Sequence, residues 1–360
     1  MNAVAAVPTR PAGMRASDLT VPSDLAATEP PEARGLARDE VRLMVAGDGP
    51  LRHTLFRDLP AFLAAGDLLV VNTSATLPAA VDGRRDDGRD VKVHFATYLG
   101  GDGWIVELRR AGVGRVRDGR VGEQIQLPNG VVARLTASYP DPARRRDSRL
   151  WNATIAIGGD ALAYLGAVGR PITYEYLRGQ WPLVSYQTIF ATEPGSAEMP
   201  SAGRPFSTEL LAALAASGVL VAPVTLHTGV SSLEAGERPL PERYRVPDVT
   251  ARAVAATRAA GGRVVAVGTT ATRALETVAS TDGAIVAGEG WTDVVLGPDH
   301  PARVVDGIIT GWHDPDGSHL LLLEAVVGED LVASAYRAAL AERYRWHEFG
   351  DSCLLLRPRR

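Results

Sequence analysis

The stretch YQTIFATEPGSAEMPSAGRPFSTELLAALAASGVLVAPVTLHTGVSSL, from Tyr186 to Leu233, decides how we interpret the fold of this chain. It contains a polar loop rich in glycine and proline, an amphipathic helix over Ser207–Ser217 and an apolar strand over Val219–Leu226. The strand ends at His227, in a second polar loop. Strands that deliver polar residues into loops are typical of α/β enzymes, so we expect an α/β domain with its site along one sheet edge. A structural loop with one histidine is an equally good interpretation, because fold alone does not imply function.

Composition narrows the class of protein. The 360 residues are 46% hydrophobic and 22% charged, which indicates a globular chain, and this length favours two domains. A net charge of −4 gives no global attraction to nucleic acid, so an RNA partner would need a local basic surface. The single cysteine, Cys353, excludes an internal disulfide framework and favours a reducing cytoplasm.

The sequence shows no signal for a metal site, a membrane span or a signal peptide. No cluster of histidine and cysteine predicts a metal site. No apolar run is long enough to span a bilayer, so we expect no membrane partner. The N-terminal stretch MNAVAAVPTRPAGMRASD lacks an apolar core and predicts a flexible arm rather than a signal peptide.

The first part of the α/β pattern is short. A strand is expected over Val41–Ala46, followed by a short helix over Ala61–Ala65 that Gly66 ends as a C-terminal cap. The apolar run Asp67–Asn72 then predicts a buried strand.

From about Val81 to Tyr174 the pattern changes to short stretches of alternating hydrophobicity, among them VKVHFATYL, GWIVELRR and VVARLTASY. Turn residues separate these stretches, and Pro128-Asn129-Gly130 predicts a hairpin. We therefore expect a β-rich module, either a small barrel or a curled sheet.

The β-rich module is also rich in arginine. One interpretation is a solvated face with a charged loop. The other is a surface that contacts the phosphates of RNA. The sequence leaves both open for Arg109, Arg110, Arg115, Arg117, Arg120, Arg144, Arg145, Arg146 and Arg149.

The C-terminal half alternates strands with helices. The strand Arg263–Val267 runs into Gly268-Thr269-Thr270 and a helix, and the strand Val304–Thr310 leads into a polar loop with His313. Amides and hydroxyls at a helix N-terminus suit an anion, a carboxylate or a ribose hydroxyl. Simple capping of the helix by Thr269 or Thr270 is the alternative.

Seven motifs carry a family resemblance across nearly the whole chain. They are FRDLPAFLAAGDLLVVN (Phe56–Asn72), YQTIFATEPGS (Tyr186–Ser196), PSAGRPFS (Pro200–Ser207), TLHTG (Thr225–Gly229), VGTTATRALE (Val267–Glu276), VDGIITGWHDP (Val305–Pro315) and RYRWHEFGDSCLL (Arg343–Leu355). In this order they resemble the queuosine-biosynthesis family of S-adenosylmethionine:tRNA ribosyltransferase-isomerases. For example, the last motif is similar to the family's YRFYSFGDAMLI.

The resemblance implies a fold and a reaction. The fold is a large α/β domain, here residues 1–80 plus 175–360, with a small β-barrel-like domain inserted at residues 81–174. The reaction transfers and isomerises the ribosyl part of S-adenosylmethionine onto a 7-aminomethyl-7-deazaguanine in tRNA, which gives epoxyqueuosine and releases adenine and methionine. S-adenosylmethionine is the co-substrate, no metal is implied, and tRNA would be bound through the arginine-rich module in the cytoplasm.

The resemblance also implies site residues. The catalytic candidates are His227, His313 and Tyr186, the two histidines being suited to proton transfer. Thr269, Thr270 and Arg273 are candidates for binding the methionine carboxylate or ribose. The other substrate-binding candidates are Gln187, Glu198, Ser201, Gly203, Gly229 and Glu242.

Departures from the family motifs cluster in the predicted pocket loops. A family arginine is replaced by Ala75, a histidine by Pro205 and a lysine by Asp316, while Glu198 is a new acid and Ser231 replaces a glycine. Three hypotheses about the function follow. One is the family reaction in a remodelled pocket, and another is a divergent S-adenosylmethionine-using paralogue with a small-molecule acceptor. The third is a catalytically weak RNA- or nucleoside-binding protein.

Overall fold

The computed structural model describes residues 16–110, 114–143, 147–230, 239–315 and 318–358. Some features discussed above lie outside these residues, namely most of the predicted N-terminal arm, the arginine run Arg144–Arg146, Ser231 and Asp316. No helix in the described part of the chain combines the length and apolar character that a membrane span requires.

Eighteen strands and six α-helices are defined in the described residues. Before and within the β-rich stretch they are β1 Arg42–Ala46, β2 Arg52–Leu55, β3 Leu68–Asn72, β4 Ser74–Thr76, β5 Ala80–Arg85, β6 Asp90–Gly100, β7 Gly103–Arg110, β8 Gly114–Arg115, β9 Gln124–Gln126, β10 Val132–Tyr139, β11 Leu150–Ile155 and α1 Ala161–Val168. After it they are β12 Glu193–Ser196, α2 Thr208–Ala216, β13 Leu220–Leu226, β14 Glu242–Val246, α3 Asp248–Ala259, β15 Val264–Val267, α4 Gly268–Thr277, β16 Gly288–Thr292, β17 Gly307–Gly311, α5 Ser318–Val327, α6 Glu329–Ala341 and β18 Ser352–Leu356.

The larger sheet has nine strands in the order β16-β14-β13-β3-β15-β17-β18-β1-β2. Its central strands β13, β3, β15 and β17 are all parallel, with Val70 of β3 beside Ala222 of β13 and Ala266 of β15. Since parallel strands end at the same edge, the chain leaves all four at one side of the sheet.

The central strands are buried on both faces, which explains why they are apolar without alternation. Leu68 and Val70 of β3 pack into one hydrophobic core, while Leu69 and Val71 pack into a second core on the opposite face. This double burial fixes the position of the edge where the polar loops begin.

A second sheet forms a closed barrel. Strands β5, β6, β7, β11, β10 and β9 pair around a ring, which closes where Leu150 of β11 lies opposite Glu107 of β7, and β8 adds to the side of β7. The predicted hairpin at Pro128-Asn129-Gly130 joins β9 and β10. The barrel strands lie between β4 and β12 in the chain. The predicted α/β fold with a small β-barrel is therefore confirmed, whereas the division at residues 80 and 174 stays a prediction.

Two local predictions were wrong. The helix expected over Ala61–Ala65 is a 3₁₀-helix over Phe56–Phe62, and the chain then turns because the Asp67 carboxylate accepts a hydrogen bond from the Ala64 amide at 2.8 Å. Neither Thr269 nor Thr270 caps α4, since Val267 occupies the N-cap position and no side chain caps it.

Candidate active site

The site is built where the central parallel strands end. His227 follows β13, the first turn of α4 follows β15, and His313 lies two residues beyond β17. The sequence placed these three elements at one sheet edge, and the structure does the same. The polar side chains of these three loops therefore lie close together beside the barrel.

A cavity of about 730 Å³ opens between this edge and the barrel. Its volume lies within the range of about 300–1,000 Å³ usual for small-molecule sites. Of the predicted site residues it takes in Tyr186, Glu198, Ser201 and His313. Residues not predicted also line it, including Asp18, Arg115, Tyr174, Tyr176, Asp314, His319, His347 and Glu348.

Two small cavities, of about 90 and 80 Å³, adjoin the large one. Thr269 and Thr270 line both of them, and Gly229, Glu242 and Arg273 line the first. Among the residues that the structure describes, His319 alone lines all three cavities. It therefore lies at the point where they meet.

His313 and His319 form a stacked pair. Their ring centroids are 4.4 Å apart with an interplanar angle of 6°, and Nε2 of His313 lies 3.1 Å from the Thr310 hydroxyl. Burial, and then the neighbouring imidazoles of His319 and His347, hold the pKa of His313 well below its usual value. Burial also lowers the pKa of His319 to about 4. Both rings are therefore neutral at neutral pH, each with one donor and one acceptor nitrogen.

Tyr186 lines the large cavity and has a buried hydroxyl. The residue is 3% exposed, and its hydroxyl has no hydrogen-bond partner among the described residues. The ring packs against Phe349 with 5.2 Å between centroids. Burial, with a smaller effect of Glu348, raises the pKa of Tyr186, so the hydroxyl stays protonated and can donate.

A second aromatic group also lines the cavity. Tyr176 is stacked between Tyr174, at 5.9 Å, and His347, at 4.3 Å. Its hydroxyl donates a short hydrogen bond to the carboxylate of Glu348. Burial raises the pKa of Glu348, and the Tyr176 hydrogen bond opposes that rise.

Arg273 lines one of the small cavities, and its guanidinium has several partners in the protein. Its guanidinium donates to Val294 O at 3.1 Å and to Leu240 O and Thr292 O at 3.3 Å, and it forms an ion pair with Glu242. Glu242 also accepts from the Gly229 amide at 3.1 Å. These contacts tie α4 to two loops and occupy most of the donors of Arg273.

Three predicted residues do not line any of the three cavities. Nδ1 of His227 lies 2.7 Å from the Ser74 hydroxyl, and burial lowers the pKa of this histidine. The amide of Gln187 bonds both backbone groups of Thr76, at 3.0 and 2.8 Å. Gly203 lies in a turn where a Cβ would meet Thr188 Cγ2 at 3.3 Å. These residues lie outside the three cavities, and their roles stay predictions.

Many arginines of the barrel are paired with carboxylates. Glu107 in the barrel wall contacts Arg149 at 3.0 Å and Arg109 at 3.1 Å. Against the effect of burial, His94 and these guanidinium groups hold the pKa of Glu107 at about 2. The paired arginines contribute less free positive charge to the surface than their number indicates.

No group of three or more histidine, cysteine, aspartate and glutamate side chains in the described ranges is arranged to hold a metal ion.

Several groups in the cavity were not predicted from the sequence. The sequence patterns do not single out His319, Tyr176, His347 or Glu348. The one available signal was the position of His319 after the polar loop beyond β17, since such loops carry function in α/β folds.

Known proteins resemble this chain over nearly its whole length. The sequence pattern of a family described as queuosine biosynthesis protein matches residues 15–355. The S-adenosylmethionine:tRNA ribosyltransferase-isomerase of Symbiobacterium thermophilum is 37% identical over 355 residues, covering 95% of this chain and 100% of that protein. The protein of the same name from an Anaeromyxobacter species is 39% identical over 360 residues, covering 96% and 99%. The crystal structure of S-adenosylmethionine tRNA ribosyltransferase from Thermotoga maritima is 28% identical with a TM-score of 0.52, covering 95% of this chain and 100% of that one.

Proposed function

This chain belongs to the queuosine biosynthesis protein family, and from this premise we propose that it is an S-adenosylmethionine:tRNA ribosyltransferase-isomerase. The full-length match to relatives of that name carries the proposal. The enzyme transfers and isomerises the ribosyl part of S-adenosylmethionine onto a 7-aminomethyl-7-deazaguanine in tRNA. Adenine and methionine leave, and the product is epoxyqueuosine.

The chemistry requires groups that move protons. The sulfonium of S-adenosylmethionine acidifies the adjacent C5′ hydrogens, and a base removes one of them. Adenine accepts a proton or a hydrogen bond as its bond to the ribose breaks, and the acceptor amine attacks in its neutral form. Each step involves a neutral donor or acceptor rather than a fixed charge.

We assign proton handling to the large cavity. His313 and His319 are neutral imidazoles at its inner end, so either can accept a proton at its free nitrogen. Tyr186 supplies a protonated hydroxyl without a protein partner among the described residues. His227, held by Ser74 behind the cavity, is assigned a supporting position.

The first turn of α4 is suited to the methionine carboxylate or the ribose. Thr269 and Thr270 line both small cavities, and their hydroxyls have no hydrogen-bond partner among the described residues. Free amides and the positive end of the helix dipole favour an anionic group there. Arg273 supports this turn indirectly through its contacts with Glu242 and the neighbouring loops.

Adenine release from S-adenosylmethionine tests the proposed reaction. We expect release only when tRNA carries the aminomethyl-deazaguanine, with none from tRNA that lacks it. The variants His313→Asn and His319→Asn should lower kcat by about 10²–10⁴-fold if they act as acid or base. Release with a free small-molecule amine but never with tRNA would instead favour the paralogue with another acceptor.

We also propose that tRNA contacts exposed arginines of the barrel. Arg110 and Arg134 are exposed and form no ion pair among the residues that the structure describes. Each phosphate contact that is lost should reduce the dependence of tRNA affinity on salt. Arg110→Glu and Arg134→Glu should therefore raise the KM for tRNA and flatten its salt dependence, with the KM for S-adenosylmethionine unchanged. Arg120, paired with Asp86 at 3.5 Å, is the matched control.

A cytoplasmic location follows from this proposal, because the tRNA acceptor is modified there. Cell fractionation with antibody detection would test it. Recovery of the protein in the membrane fraction would contradict it.

A further inference from the structure

Glu348 is half-buried and differs in its partner from the other carboxylates that are removed from water in this protein. It lies between α6 and β18 and lines the large cavity. Its carboxylate accepts a hydrogen bond from the neutral hydroxyl of Tyr176. Within the described residues it forms no ion pair with a lysine, arginine or histidine, and the adjacent His347 is stacked on Tyr176 instead.

Other carboxylates in the protein interior have stronger partners. Asp67, Glu107 and Glu242 are paired with arginines. Glu276 accepts hydrogen bonds from three successive backbone amides. A carboxylate removed from water is costly unless a cation or several donors compensate it. Among the described residues, Glu348 has two neutral donors, the Tyr176 hydroxyl and its own backbone amide, and no cationic partner.

The charged side chains that line the large cavity are mostly acidic, which also favours a cationic ligand. Among the described residues, its charged lining besides the histidines is four carboxylates and one guanidinium, namely Asp18, Glu198, Asp314, Glu348 and Arg115. Tyr186 also lines this cavity, and its buried hydroxyl has no partner in the described part of the chain. A buried polar group without a partner calls for an explanation, and a bound ligand supplies one.

We propose that Glu348 is the counterion for an organic cation of the substrate bound in this cavity. This inference rests on the proposed function. S-adenosylmethionine carries two such cations, the sulfonium and the α-ammonium group, and the aminomethyl-deazaguanine carries a primary amine. Tyr176 holds the Glu348 carboxylate in a fixed orientation toward the cavity.

Isothermal calorimetry on the full-length protein tests the inference with three ligands. They are S-adenosylmethionine, S-adenosylhomocysteine, which lacks the sulfonium charge, and the free aminomethyl-deazaguanine base. Glu348→Gln keeps the size of the side chain and an acceptor for Tyr176 but removes the charge. We expect at least one ligand to bind about tenfold or more weakly to this variant, which corresponds to about 1.4 kcal/mol.

The three ligands distinguish the source of the cation. If Glu348→Gln loses affinity for S-adenosylmethionine alone, the cation is the sulfonium. If it loses affinity for both S-adenosylmethionine and S-adenosylhomocysteine, the cation is the α-ammonium group. Loss for the base alone identifies the acceptor amine. Unchanged affinity for all three ligands overturns the inference. If wild-type protein binds none of them, the proposed function fails instead.

Control variants separate charge from folding. Asp314→Asn removes an exposed carboxylate from the same cavity and should change affinity less than Glu348→Gln. Glu348→Asp keeps the charge and should retain part of the affinity. If Glu348→Gln does not fold, Glu348→Asp and Tyr176→Phe, both of which displace the carboxylate, should weaken the same ligand, and normal binding by both would contradict the inference.

Discussion

Replacing Arg273 distinguishes a structural from a ligand-binding guanidinium. The motif resemblance predicts that this arginine binds the methionine carboxylate or the ribose. In the structure its guanidinium contacts Glu242 and three backbone carbonyl oxygens. Arg273→Met keeps most of the length of the side chain and removes every donor. The change should therefore act on folding before it acts on binding.

The expected magnitude follows from these contacts. Each of the three hydrogen bonds to Val294, Leu240 and Thr292 contributes about 1 kcal/mol. Removing one partner of a buried ion pair costs about 3–5 kcal/mol, because the Glu242 carboxylate is left without its cation. The contributions are not additive, so we expect the free energy of unfolding to fall by about 3–5 kcal/mol in total.

Urea unfolding followed by circular dichroism measures this loss, and calorimetry measures the affinity of the folded variant for S-adenosylmethionine. The double variant Arg273→Met/Glu242→Gln should recover about 0.5–3 kcal/mol relative to the sum of the single changes. Normal stability combined with a large loss of S-adenosylmethionine affinity would refute this reasoning and return Arg273 to the substrate carboxylate.

Three other predictions follow from the site. The pKa of His319 is about 4 in the folded protein and about 6.5 in an unfolded chain. The unfolded chain therefore takes up the proton first, so the free energy of unfolding should fall as the pH falls from about 6.5 to about 4. The variant His319→Asn should show a smaller fall. Urea unfolding midpoints measured against pH would show both. Gly195→Ala would overlap the His227 ring and should lower the melting temperature, while Gly166→Ala, in α1 with open space around it, should stabilise by about 0.5–1 kcal/mol. His227→Ala should reduce stability and leave adenine release per folded enzyme within about twofold, and a hundredfold loss would place His227 in the chemistry.

The sequence predicted the sheet edge because the signals for it are local. The apolar runs of β3, β13 and β15 are short and bounded by polar loops, so their strand character is visible without tertiary contacts. Parallel strands share an edge, and this placed the loops with His227, Thr269 and His313 together. Closure of the barrel between β7 and β11 depends on pairing between distant residues, which no local pattern specifies.

The side-chain contacts of the site were harder to predict. The motif that contains Arg273 matches the family, but a match does not say which acceptor the guanidinium meets. Glu348 stands where the quoted family motif has serine, so the resemblance drew no attention to it. His319 begins α5, and only the folded chain shows that its ring lies against His313. Each of these contacts joins elements that are distant in sequence or hidden in a loop.

Transfer of labelled ribosyl carbon from S-adenosylmethionine to tRNA would show the proposed reaction itself. The purified full-length protein would be incubated with ribosyl-labelled S-adenosylmethionine and with tRNA that carries the aminomethyl-deazaguanine. The proposed reaction predicts label in tRNA in equal amount to the adenine released, and none when the tRNA lacks the modified base. Absence of label from tRNA while the protein binds S-adenosylmethionine and folds normally would contradict it.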